Sequence, residues 1–355
     1  MTSMDFVLNA TDWDPTSTTR DIYGVASITW DWFFIVQLIL ALFGIFGNIL
    51  VIVVYVKKLR NRSNSNKLIV MLAVADLITS VAIIPLPSLT YVPNSAVGRV
   101  YCIFTYSAVI MWMSIVASIF ILTLLSLERY FAVVHPLKHK LIFSKNRIKC
   151  FIAAIWTAAI VMNSGSFFVT RVSEGNNCEL TWPSSAFQMV HGSMIFTVEF
   201  VIPVTLMVVS HFRAIRELQM QARSLLKRNE STSSPAFSLL RCRRRVIKMV
   251  LIVVLTFIIC WLPDQMGFLL FNFGVLSPDY FRSTIYRAFT ILAFINSCAN
   301  PIIYVWLNKN FRAAVAQLIP FIRLNVRSNS AEEGTMAMSV AEARYTGPVA
   351  FTNNA

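Results

Sequence analysis

Seven stretches of this chain are long and apolar enough to exclude water as their surroundings. Residues 32–56, 100–127, 150–170 and 288–308 carry no charged side chain, and 68–91, 187–209 and 249–273 carry one each, Asp76, Glu199 and Asp264. About 20 helical residues cross the roughly 30 Å hydrocarbon core of a bilayer. Hydrocarbon gives backbone N–H and C=O groups no partner, so each stretch reads as a spanning helix. A β-barrel would need alternating strands of about ten residues, a pattern absent here. The predicted fold is an all-α membrane protein, a seven-transmembrane helix bundle with a short amphipathic eighth helix. The spacing predicts helices over 32–56, 67–91, 99–133, 149–171, 187–219, 241–273 and 282–307, and the amphipathic helix over 309–320. These make one domain, 32–321, between an N-terminal tail, 1–31, and a C-terminal tail, 322–355.

The net charge of +14 would suit nucleic acid if it lay on one soluble face. Only 14% of residues are charged, well below the roughly 25% of soluble domains, and the basic ones cluster between apolar runs. Nucleic acid is therefore excluded as a partner; the partner implied is the lipid bilayer. The first connection holds Lys57, Lys58, Arg60, Arg62 and Lys67, and the third holds Lys138, Lys140, Lys145, Arg147 and Lys149, with no acid in either. The fifth adds Arg213, Arg216, Arg223, Lys227, Arg228 and the 241–245 cluster against Glu217 and Glu230. The positive-inside rule puts these connections in the cytosol, the N-terminus outside and the C-terminus inside, as in a multi-pass plasma-membrane protein. The acidic first 31 residues show no cleaved signal peptide. Asn9-Ala10-Thr11 is a glycosylation sequon on the outer side.

Topology also sorts the cysteines. Of six, only Cys102 and Cys178 fall on the outer, oxidising side, which suggests a disulfide, two free thiols being the alternative. Ionisable groups inside a membrane are costly and are functional candidates. If helices 2, 3 and 7 face one another, Asp76, Ser118, Asn296, Ser297 and Asn300 make an oxygen-rich cage that a small monovalent cation would balance; a neutral or water-bridged Asp76 is the alternative. Pro203, Pro263 and Pro301 interrupt helices 5, 6 and 7 as candidate hinges. Glu128-Arg129-Tyr130 closes the third apolar run. A basic anchor at the membrane boundary would explain Arg129, but not the acid beside it.

These motifs, in order, carry a resemblance. Gly47-Asn48, Leu72-Ala73-Val74-Ala75-Asp76, Glu128-Arg129-Tyr130, Trp156, Pro203, Cys260-Trp261-Leu262-Pro263 and Asn300-Pro301-Ile302-Ile303-Tyr304 each fall in the right span. The chain resembles a rhodopsin-like (class A) G-protein-coupled receptor over about 32–321. The resemblance implies a receptor, not an enzyme, that binds an extracellular ligand and activates heterotrimeric G proteins through movement of helices 5 and 6. It implies that Arg129 engages the G protein and that Asp76, Ser118, Asn296 and Ser297 form a sodium pocket, with no other cofactor or metal. Ile119, Pro203 and Phe257 would connect ligand site to cytosolic face. Trp261 would be the toggle and Tyr304 the switch, and Cys102–Cys178 matches the family disulfide. Receptor kinase and arrestin would act on the fifth connection and the tail.

The departures are informative. Cys102 lies further from Arg129 than in the family, which puts the register of upper helix 3 in question. His211 stands where helix 5 usually has tyrosine. Residues 288–308 contain no lysine for a retinal Schiff base, and the 109–113 region of helix 3 has no acid for a monoamine. The style is that of peptide receptors such as the galanin, somatostatin, tachykinin and cholecystokinin groups. A neuropeptide or peptide hormone is therefore the expected ligand. Pocket-facing candidates are Trp112, His191, Glu199, Asp264, Gln265, Phe268, Tyr286 and Thr290. Pro85 and Pro87 would kink helix 2 and open the pocket outward. A non-peptide small molecule or lipid, a non-signalling scavenger receptor and a transporter are the alternatives; no internal repeat supports the last.

Arg243, at the foot of helix 6, stands where some members have an acid. It repels Arg129 and leaves Glu128 as that residue's restraint. Cells expressing the chain should therefore signal without ligand, and a second-messenger level equal to that of empty cells would contradict this.

Overall fold

The computed structural model describes residues 30–59, 64–87, 89, 91–228 and 234–318; Asn9 and most of both tails lie outside them. Seven helices are long and apolar enough to cross a membrane: α1 Trp32–Lys58, α2 Asn64–Ala82, α3 Ala96–Val134, α4 Asn146–Val169, α5 Ser185–Lys227, α6 Pro235–Asn272 and α7 Thr284–Leu307. A further helix, α8 Lys309–Leu318, follows. One short antiparallel hairpin, β1 Thr170–Val172 with β2 Cys178–Leu180, joins α4 to α5.

Polar side chains at helix starts satisfy the donors that a helix leaves free. Asp31 Oδ1 accepts from the Phe33 and Phe34 amides, and Ser184 and Ser283 do the same for α5 and α7. Asp31 also receives Arg287 Nη1 of α7 at 2.5 Å, which ties the start of α1 to α7. Large apolar side chains such as Phe46 and Phe212 face outward, while Asp76, Ser114, Ser118 and Asn300 are buried. This is the arrangement expected of a helix bundle in lipid. Close packing of α1 depends on Gly44 and Gly47. A Cβ at Gly44 would meet Ser80 Oγ at 2.3 Å, and one at Gly47 would meet Pro301 Cγ at 2.9 Å.

Several helix limits differ from the sequence reading. Helix 2 ends at Ala82 rather than 91, so Pro85 and Pro87 terminate it instead of kinking it. Proline lacks an N–H and pushes its predecessor out of the helical region. Gln37 Nε2 of α1 donates to the Ile83 carbonyl freed there, at 2.7 Å. Helices α5 and α6 extend into the charged fifth connection, because an apolar stripe runs through the charges: Ala214, Leu218, Leu240 and Ile247 are buried together with Val133. The 282–284 boundary also shifts, with Pro278–Arg282 forming a separate 3-10 turn before α7.

The long spacing from Cys102 to Arg129 has a structural answer. Helix α3 is interrupted by a π turn at Cys102–Tyr106, and Ala108 then adopts a left-handed φ of 48° before Val109–Val134 resumes. The interruption takes up the extra residues, so the register counted back from Arg129 to Trp112 holds unbroken. Cys102 pairs with Cys178 of β2 across a Cα–Cα distance of 5.5 Å. Cys150, Cys242, Cys260 and Cys298 are free.

A left-handed residue with a Cβ costs about 1–2 kcal/mol. Ala108→Gly should leave thermal stability at or above that of the parent, and Ala108→Val should lower it by about 1–2 kcal/mol, a β-branched residue being worst in that region. Melting of the purified protein in nanodiscs measures both.

Candidate functional site

Polar and aromatic clusters follow the bundle axis from end to end. Midway, Asp76 of α2 is fully buried. Its Oδ1 accepts from Ser118 Oγ of α3 at 2.8 Å and its Oδ2 from Asn300 Nδ2 of α7 at 2.7 Å. Asn48 of α1 donates to the Ser297 carbonyl at 3.1 Å, while its own Oδ1 is buried without a partner. Asn296 is buried nearby on α7, but no hydrogen bond joins it to Asp76 among the described residues. Of the predicted cage, Ser118 and Asn300 thus bond the carboxylate, and Ser297 and Asn296 are buried on the same stretch of α7.

At the basic end of the bundle, Glu128 is 1% exposed and gathers several donors. Arg129 grips it with both arms, Nε to Oε2 at 2.6 Å and Nη2 to Oε1 at 2.9 Å. Ser65 Oγ of α2 adds a bond at 2.8 Å and His139 Nε2 another at 2.9 Å. His139 sits on the short helix Pro136–Ile142, its ring stacked on Phe143. Tyr130 turns away, its hydroxyl 3.3 Å from His135 Nε2. Arg243 pairs with Gln221 Oε1 of α5 at 3.5 Å, not with an acid. Charge-assisted bonds of this kind are the strong ones, and together they hold Arg129 inward.

Between these clusters lie buried groups with unused hydrogen-bonding capacity. Trp261 is 3% exposed and its indole N–H has no partner; Tyr304 is 2% exposed and its hydroxyl has none. Phe257 packs on Phe200 with centroids 6.1 Å apart, close to Pro203 in sequence, and Ile119 is buried. Tyr304 meets Tyr55 and Phe311 edge-on. His211 Nδ1–H donates to the Met207 carbonyl, 2.8 Å away, and its Nε2 has no partner among the described residues.

At the hairpin end, a cavity is lined by Trp112, Ile195, Glu199, Asp264, Gln265, Phe268, Phe281 and Tyr286. It therefore lies between α3, α5, α6 and α7. The Tyr280 hydroxyl lies against Gly267 of α6, where a Cβ would come within 2.0 Å of it. Burial, and then the negative charge of Asp264, pushes that hydroxyl up to about 12.

The sequence profile described as "7 transmembrane receptor (rhodopsin family)" matches residues 47–304. The chain belongs to that family. This receptor is 32% identical over 301 residues to the human neuropeptide FF receptor 1, covering 79% of this chain and 68% of that one. It is 30% identical to the allatostatin-A receptor of Bombyx mori over 78% of this chain and 76% of that one. To galanin receptor type 1 of Rattus norvegicus it is 28% identical over 87% and 88%. The receptor is thus class A and peptide-receptor-like, and its family is one of receptors rather than enzymes.

Six expected pocket residues of the receptor line its cavity, and Ile195 and Phe281 join them. His191 and Thr290 do not. His191 packs between Trp182 and Phe187, and the Thr290 hydroxyl turns back to the Tyr286 carbonyl at 3.0 Å. The sequence reading missed Ser65 and His139. Nothing local marks either one, because each reaches Glu128 only through the packing of another element.

Leaving a buried acceptor one donor short costs about 1–3 kcal/mol. His139→Ala should lower the melting temperature of the purified receptor and raise ligand-free signalling in cells. Tyr130→Phe should do neither.

Proposed function

We propose that this receptor sits in the plasma membrane with its N-terminus outside, binds an extracellular peptide, and activates heterotrimeric G proteins. One observation carries the reading: an acid-lined cavity with aromatic walls at one end of the bundle and a latched arginine at the other share helix α3. Basic connections support the orientation, since the end that holds Arg129 is the positive one. Relatives named as receptors for neuropeptide FF, allatostatin-A and galanin support a peptide ligand.

The mechanism is a shift between two packings. A ligand in the cavity favours the state in which α5 and α6 swing away from α3, and it does so only by binding that state better. Pro263 and Pro301 supply bends in α6 and α7. The unpaired Trp261 indole and Tyr304 hydroxyl gain partners in the second packing. Arg129 then leaves Glu128 and meets the G protein in the opened cleft. A sodium ion fits the site at Asp76: one carboxylate and the hydroxyls of Ser118 and Ser297 offer hard oxygen ligands, and no ion pair neutralises Asp76 among the described residues. When bound, the ion would neutralise that charge and favour the packing that holds α2, α3 and α7 together. Receptor kinase and arrestin would act on the serines and threonines of the fifth connection and the tail. Most of these, like the Asn9 glycosylation site, lie outside the described residues.

Arg129→Ala should abolish G-protein activation in cells while the protein stays at the surface and binds ligand; retained activation would refute the mechanism. Tissue extract should activate the unaltered receptor, and protease digestion of the extract should remove the response. A response that survives digestion would replace the peptide with a small molecule or lipid.

A further inference from the structure

Two acids face the same cavity, and no basic side chain among the described residues forms an ion pair with either. Glu199 is 5% exposed and lies in a π turn, Thr197–Val201, that interrupts α5 just before Pro203. One extra residue in a helix rotates the preceding face by about 100°, and such turns often mark functional sites. Asp264 follows Pro263 directly on α6 and lines the same space. Neither acid forms a hydrogen bond or a salt bridge with any side chain among the described residues. The cavity lining contains no lysine, arginine or histidine. Of the basic groups at this end, Arg287 binds Asp31 and lies over the Phe33 ring at 5.6 Å, and His191 packs against Trp182 and Phe187.

Neutral groups point the same way. Gln265, 5% exposed, lines the cavity with its Oε1 buried and unpartnered. The Tyr280 hydroxyl is likewise buried without a partner. Desolvated carboxylates cost several kcal/mol each unless paired, so a site that retains two of them is complementary to a cation. The four carboxylate oxygens and the amide oxygen are all acceptors, and a guanidinium presents five N–H donors in a planar fork. Trp112, Phe268 and Tyr286 add aromatic walls against which a planar cation stacks.

We propose that the cavity is a guanidinium site formed by Glu199, Asp264 and Gln265, and that the activating ligand inserts an arginine side chain into it. This rests on the reading of the chain as a receptor for an extracellular peptide and narrows that reading to arginine-bearing peptides.

The test uses full-length receptor in nanodiscs and three probes: arginine amide, the neutral isostere citrulline amide, and lysine amide. Arginine amide should raise the melting temperature, with a shift that grows as the logarithm of its concentration, and the other two should raise it less. Glu199→Gln with Asp264→Asn should abolish that shift. The single variants report the same loss if the pair fails to fold. Equal shifts with citrulline amide, no shift with arginine amide, or a shift unchanged in the variants would overturn the proposal. Equal shifts with lysine amide would overturn the guanidinium assignment. Lost discrimination beside a protease-sensitive cellular response removes the arginine anchor and leaves the peptide receptor standing. Discrimination beside a protease-resistant response removes the peptide instead.

Discussion

Hydrocarbon offers a backbone no hydrogen-bond partner. A chain that crosses it seven times must close every N–H and C=O within its own helices, and the interruptions are confined to places where another group takes over. Gln37 does so for the Ile83 carbonyl beyond the end of α2, and Asp31, Ser184 and Ser283 do so for the free donors at helix starts. The same solvent reverses the usual placement of side chains. Phe46 and Phe212 lie outward, and the polar groups that would be stranded in lipid collect on the axis. Asp76, Ser118, Ser297 and Asn300 are close together because the bundle interior is the one place at that depth where they find each other.

The irregular segments coincide with the groups that carry chemistry. A π turn holds Cys102 against the hairpin, another presents Glu199, and Ala108 in a left-handed conformation resets α3 above Trp112. Proline lies two residues after Trp261, directly before Asp264, and directly after Asn300. Each irregularity removes one or more regular helix bonds and so makes the helix easier to bend there. A two-state receptor needs that property.

The buried acids at the two ends are treated in opposite ways. Glu128 is supplied with donors from Arg129, Ser65 and His139, drawn from α2, α3 and the loop after α3, so its charge is held in place by the packing of all three. Glu199 and Asp264 receive none from described side chains and face an open cavity. A fully satisfied charge stabilises the packing that satisfies it; an unsatisfied one stores a preference for whatever cation arrives. One end is a restraint and the other a receptor surface, and the difference is one of hydrogen-bond supply rather than residue type.

Much of this was legible from residues alone. Length and apolarity determined seven spans, because crossing hydrocarbon as a helix demands both. The adjacency of Glu128 and Arg129 and the compartment shared by Cys102 and Cys178 also survive without coordinates. Trp112, Glu199, Asp264, Gln265, Phe268 and Tyr286, named as pocket-facing candidates with the peptide-receptor resemblance, line the cavity. Helix ends were read less well where charge and apolar stripe overlap, as in α5 and α6, because charge along a sequence does not reveal the face it occupies. Only the tertiary structure decided that Asn300 rather than Asn296 meets Asp76, that His139 and Ser65 complete the latch, and that His191 turns from the cavity. Each of these depends on the angular position of one side chain relative to another helix, which sequence spacing does not define until the helices are packed.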